Sequence, residues 1–152
     1  MDFQVDIPFA RLLGLELLSL EPAQAVLAIE IRPELTNSWA VAHGGVTMTL
    51  LDVAMAHAAR GPRMDPSSQS PGVATIEMKT SFLMPAEGRL VATARCLRRT
   101  VALAFCEGSV ARADGEIVAH ATGTFKVLRG LPAGPGGREV RRPGPGHDGA
   151  PS

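Results

Sequence analysis

The sequence predicts an α+β domain in which a curved antiparallel sheet wraps one long central helix. Three observations carry that prediction. The run Gly44 to Ala59 (GGVTMTLLDVAMAHAA) holds sixteen residues with a single charge, too long for a strand and free of proline. Five strand-like runs flank it, one before and four after. The joints between the last four are short and turn-rich, with Asp114-Gly115 a strong hairpin signal, so neighbouring strands run antiparallel.

In chain order, Pro8 to Leu13 predicts a short helix ended by Gly14. Gln24 to Arg32 alternates, with Leu27, Ile29 and Ile31 on one side and Glu30 and Arg32 on the other, until Pro33 stops it. A loop containing Thr36, Asn37 and Trp39 leads into the long helix, which ends at Arg60-Gly61-Pro62. At a hundred degrees per residue, Gly45, Met48, Thr49, Met55, Ala56 and Ala59 lie within about sixty degrees of Asp52. Val46, Leu50, Val53, Ala54 and His57 occupy the other side, so the helix is apolar nearly all round and predicts enclosure. A Gly/Pro/Ser-rich loop spans Gly61 to Gly72, and the later strands are Val73 to Leu83, Arg89 to Arg98, Val101 to Arg112 and Glu116 to Leu128. Residues 1–128 form the domain. Half of residues 129–152 are Gly or Pro, which predicts a disordered tail.

Fifteen basic residues are matched by fifteen acidic ones, scattered through the chain, so no electrostatic footprint for a nucleic acid stands out. The start MDFQVDIPF lacks a basic segment followed by an apolar core, and no apolar run reaches membrane length, which predicts a cytoplasmic protein. Cys96 and Cys106 fall on adjacent predicted strands and read as buried free thiols, since nothing local activates either. No two histidines stand at ligand spacing, so no metal site is expected, and no G-x-S-x-G elbow is present.

Asp52 is the residue that does not belong. Burying a carboxylate among Val46, Met48, Leu50, Leu51, Val53 and Met55 costs several kcal/mol by order of magnitude unless it is paired or used. Its two readings are a catalytic group and a carboxylate paired with an arginine across an interface.

Asn37, then His43-Gly44-Gly45 six residues on, then Asp52, together with GVATIEMKTSFLMPA from Gly72 to Ala86, resembles the hotdog-fold thioesterases of the PaaI-like acyl-CoA group. The resemblance runs from roughly Asp6 to Leu128. It implies a hotdog fold, hydrolysis of an acyl-CoA or aryl-CoA thioester, no cofactor beyond the CoA carried by the substrate, and a homo-oligomer, either a dimer or a dimer of dimers. It implies that Asn37 hydrogen-bonds the thioester carbonyl beside the Gly44 N–H, although an Asx-turn before the helix explains the same residue. Thr75 matches the position where the family often carries Ser or Thr to hold the water, while strand alternation groups it with Glu77, Lys79 and Ser81, away from Ile76, Met78 and Phe82. His43 is expected to hydrogen-bond backbone at the helix start, and with Gly45 to help place the substrate. Trp39, Met48, Met55 and Phe82 are candidate pocket walls. Arg98 and Arg99, with Arg60 and Arg63, are candidates for the CoA phosphates.

Elementary chemistry agrees. Thioester hydrolysis puts negative charge on the carbonyl oxygen, which backbone N–H groups at a helix N-terminus stabilise, and Gly44 and Gly45 admit a substrate without a Cβ in the way. The leaving thiol has a pKa of roughly 8.5 and departs as thiolate without a general acid. Asp52 then acts as a general base on water or attacks the carbonyl itself. Gly44 and Asp52 lie eight residues apart on one helix, about 12 Å along its axis, so both cannot touch one carbonyl unless they come from different chains. The alternatives are a hotdog acyl-thioester dehydratase or hydratase, and a non-catalytic acyl-CoA-binding module.

Overall fold

The computed structural model describes residues 1–4, 6–62 and 72–128. The expected tail from 129 onward, and Arg63 in the loop after the long helix, lie outside the described residues. Helix α1 (Pro8–Leu13) takes a proline at its first turn and ends at Gly14 in left-handed backbone, φ 79°. The Arg32 guanidinium donates to the carbonyls of Leu12 and Leu13 at 2.9 and 2.8 Å, satisfying acceptors that so short a helix leaves open.

Strands β1 (Glu16–Glu21) and β2 (Gln24–Glu30) precede α2 (Gly44–Arg60), and β3 (Gly72–Phe82), β4 (Arg89–Arg99), β5 (Leu103–Arg112) and β6 (Ile117–Leu128) follow it. They form one sheet in the order β1-β2-β4-β5-β6-β3, every pairing antiparallel. Bulges in β1, β3, β4 and between β5 and β6 interrupt the register and bend the strands around α2, which touches all six. Leu27, Ile29, Leu50, Leu51, Met55, Leu90, Val110 and Phe125 fill the space between helix and sheet with no exposed surface. The predicted architecture, an antiparallel sheet wrapped around one long helix, is the observed one.

Strand β1 was not among the five expected. Its Leu17, Leu18, Ser19 and Leu20 do not alternate, because a bulge between Leu17 and Ser19 shifts the register, and its turn into β2 puts the non-glycine Ala23 at φ 63°. A period of two therefore does not mark it, and although Pro22 signals the turn, the left-handed position that Gly or Asn usually fills is held by Ala23.

His57 is buried on α2. Its Nδ1–H donates to the Val53 carbonyl at 2.8 Å, its ring meets Phe3 edge-on at 5.3 Å between centroids, and its Nε2 has no hydrogen-bond partner. Burial, with a smaller contribution from the Arg60 charge, outweighs the Val53 hydrogen bond and lowers its pKa to about 4. Because the folded value lies below the unfolded 6.5, the unfolded chain binds the extra proton first. Stability is complete above pH 6.5 and falls as pH drops toward 4, by about 3 kcal/mol in total for this group. Denaturant titrations across that window are expected to show the loss, and His57→Leu to flatten it; an unchanged slope in the variant would assign the acid sensitivity elsewhere.

Candidate active site

The start of α2 is built by its cap. His43 sits in extended backbone, φ −60° and ψ 137°, and its Nδ1 accepts the Gly45 N–H at 2.9 Å, as the sequence suggested for this histidine. The Gly44 N–H, one residue earlier, enters no hydrogen bond among the described residues. A Cβ on Gly44 would stand 3.3 Å from Phe82 Cζ, so the Phe82 ring, half of it open to solvent, lies against the helix start.

The loop leading into α2 folds on itself, with Thr36 bridging Ala42, and the His43 and Ala42 N–H groups donating to the carbonyls of Leu35 and Ala86, both at 2.8 Å. Asn37 organises it: Oδ1 accepts from the N–H groups of Trp39 at 2.9 Å and Val41 at 3.4 Å. The Asx-turn is thus present. With Oδ1 taken by the loop, the Nδ2 amide is the donor that Asn37 has left for a ligand.

Asp52 stands two turns along α2. Its Oδ1 accepts the Thr75 hydroxyl at 2.7 Å, and the two residues share a shallow groove of about 350 Å³ with Gly45, Met48, Thr49 and Met78. The expected enclosure of Asp52 does not hold within one chain. A helix lying on a single sheet has only one side covered, so Thr47, Leu50, Leu51, Ala54, Met55 and Ala58 are buried while Met48, Thr49, Asp52 and Ala56 remain partly open.

The expected grouping of Thr75 with Glu77 is overturned as well. Thr75 pairs with Phe125 and Glu77 with the next residue back, Thr124, leaving Ile76 as a bulge. Alternation therefore flips at Ile76: Thr75 and Met78 face α2, while Glu77 faces away and accepts from Thr124 Oγ1 at 2.7 Å. Met78, which sequence reasoning set on the opposite side from Thr75, lines the groove for this reason, and no residue type in the sequence flags the bulge.

Other expected site residues sit apart. Met55 is wholly buried, its Cε against Gly123, because α2 presents it to the sheet rather than to the groove. Trp39 is 81% exposed at the loop tip and is not among the residues lining the groove beside Asp52. Arg99 donates to the carbonyls of Ala59 at 2.8 Å and Arg60 at 3.3 Å, so its guanidinium caps the C-terminal end of α2, and Arg98 is exposed beside it. Among the described residues no three His, Cys, Asp or Glu side chains gather as a metal site would require.

Comparison with known proteins adds a family. The chain matches the Thioesterase superfamily over residues 40–119. It is similar to the medium/long-chain acyl-CoA thioesterase YigI of Salmonella typhimurium, 31% identical over 82% of this chain and 88% of that one. It also resembles human acyl-coenzyme A thioesterase 13, 30% identical over 74% of this chain and 79% of that one. Among solved structures, a mutant of the phenylacetic acid degradation protein PaaI from Thermus thermophilus superposes with a TM-score of 0.69 at 30% identity, covering 80% of this chain and all of that one.

Proposed function

The chain belongs to the thioesterase superfamily as a PaaI-like hotdog thioesterase, and from that premise we propose that it hydrolyses an acyl-CoA to free acid and CoA in sites each drawn from two subunits. The observation that carries this reading is the Asp52–Thr75 pair on an open helix face, with an uncommitted Gly44 N–H eight residues away on the same helix. About 12 Å of helix axis separates the two, so Gly44 of one subunit acts with Asp52 of the other. The partly open stripe around Asp52 and the unpaired edge of β3, with Ile76 55% exposed, support a second copy covering this face.

In each site the Gly44 N–H and the Asn37 amide polarise the thioester carbonyl. Thr75 holds Asp52 by its hydroxyl proton and keeps lone pairs for a water, and Asp52 takes that water's proton or itself attacks the carbonyl. CoA leaves as thiolate, so the route needs no resident cofactor or metal. Met48 and Met78 suit an apolar acyl chain, and the name of the Salmonella relative makes medium and long chains the first to try. The proposed enzyme is cytoplasmic; separately, among the described residues no helix is long and apolar enough to cross a membrane. The proposed assembly is a dimer or a dimer of dimers.

The test is release of free thiol from short, medium and long aliphatic and aromatic acyl-CoAs. Turnover of at least one series is expected. Binding without release from any of them would make the chain an acyl-CoA-binding module, and hydration of an enoyl-CoA without hydrolysis would make it a hydratase.

A further inference from the structure

Cys96 and Cys106 are register partners across β4 and β5. The Cys96 N–H donates to the Ala23 carbonyl at 2.8 Å, on the β2 side of the strand, so toward β5 this residue makes no ladder hydrogen bond. Directly opposed residues of that kind have Cα atoms about 4.5 Å apart with side chains close together. A disulfide accepts Cα separations of roughly 4.4–6.8 Å, a range that includes the spacing of such a pair. Both side chains point to the same face, toward the C-terminal end of α2, where the Cys96 thiol donates to the Arg98 carbonyl at 3.5 Å.

Their exposure differs. Cys106 is 2% exposed, and burial, reinforced by Cys96, pushes its thiol up to about 12. Cys96 is partly open and forms a wall of a pocket of about 230 Å³ together with Pro22, Ala58, Gly61 and Arg99. This pocket lies at the opposite end of α2 from Gly44, roughly 22 Å along the axis. A small oxidant reaching the pocket therefore meets Cys96 first, with Cys106 covered behind it.

We propose that Cys96 and Cys106 are a peroxide-modifiable thiol pair, with Cys96 the thiol that reacts first and Cys106 the thiol that resolves it into an intrachain disulfide. The Cys96 thiolate attacks one oxygen of hydrogen peroxide; the O–O bond breaks, hydroxide leaves, and Cys96 becomes a sulfenic acid. The Cys106 sulfur then attacks the Cys96 sulfur, the S–O bond breaks, and the departing hydroxide leaves as water with the Cys106 proton. Two thiols and one peroxide give one disulfide and two waters, with both sulfurs oxidised and both peroxide oxygens reduced.

The experiment treats the full chain with hydrogen peroxide, quenches with catalase, denatures, alkylates with N-ethylmaleimide and maps the peptides by mass. The expected result is a Cys96–Cys106 linked peptide pair, no alkylation of either residue, a single-chain species on a non-reducing gel, and full alkylation after dithiothreitol. In Cys106→Ala, Cys96 is expected to stop at the sulfenic acid and be captured by dimedone. The wild-type map decides even if that variant fails to fold. Two alkylatable thiols after peroxide, a sulfinic Cys96 beside an alkylatable Cys106, or a disulfide joining two chains would each overturn the proposal.

Discussion

Asp52→Asn is expected to lower kcat for acyl-CoA hydrolysis by about 10²–10⁴-fold, the range over which a positioned base or its loss usually acts. That corresponds to about 3–5 kcal/mol of transition-state stabilisation. The substitution is nearly isosteric, and an Asn oxygen still accepts the Thr75 hydroxyl proton that Oδ1 accepts at 2.7 Å, so the groove keeps its shape. KM is expected to change little, since in the proposed site Asp52 acts at the reacting carbonyl and not on the bulk of CoA. Steady-state thiol release, paired with calorimetric binding of the acyl-CoA, checks both halves. Full turnover in the variant would move the chemistry to another group. Label appearing in the Asp52 carboxylate after a single turnover in ¹⁸O water would establish nucleophilic attack followed by hydrolysis of the anhydride at the Asp52 carbonyl, whereas label in the product acid alone is compatible with either route.

Gly44→Pro is expected to cost about 10²–10³ in kcat, the penalty for deleting one oxyanion donor. Proline removes an N–H that enters no hydrogen bond among the described residues, at the first helical position, where proline is favoured. His43 already has the extended backbone that a following proline requires, φ −60° and ψ 137°. The helix therefore survives while the donor disappears. Gly44→Ala keeps the N–H and asks only that the part-exposed Phe82 ring, whose Cζ would lie 3.3 Å from the new methyl, move by a few tenths of an ångström. Its kcat is expected to fall far less. Urea midpoints close to wild type in both variants would confirm that the comparison is between folded proteins, and a fully active Gly44→Pro would remove the helix start from the carbonyl's surroundings.

Much of this was legible in the residues. An apolar run opening on His43-Gly44-Gly45 and closing on Gly61-Pro62 marks α2 to within one residue, because caps and breakers act locally. The later hairpins were legible for the same reason: Gly115, at φ 85°, sits where Asp114-Gly115 announced a turn. Bulges were not legible. Those at Leu17–Ser19 and Thr75–Glu77 change the side-chain period without any residue that signals it, which hid β1 and put Thr75 and Met78 on opposite faces when they share one. The enclosure expected for Asp52 failed because periodicity says how apolar a helix is, not whether its cover comes from its own chain. The same limit applies to Trp39: a large aromatic reads as a wall, yet it stands 81% exposed at a loop tip.

A mixed dimer shows whether each site draws on two subunits. Asp52→Asn and Gly44→Pro chains carrying different tags are co-expressed, and the species bearing both tags is isolated and assayed for thiol release. In a mixed dimer one site collects both lesions and the other collects neither, so about half of wild-type activity is expected from two nearly inactive parents. A mixed dimer as inactive as its parents would rule out the shared site and confine the reacting groups to a single chain.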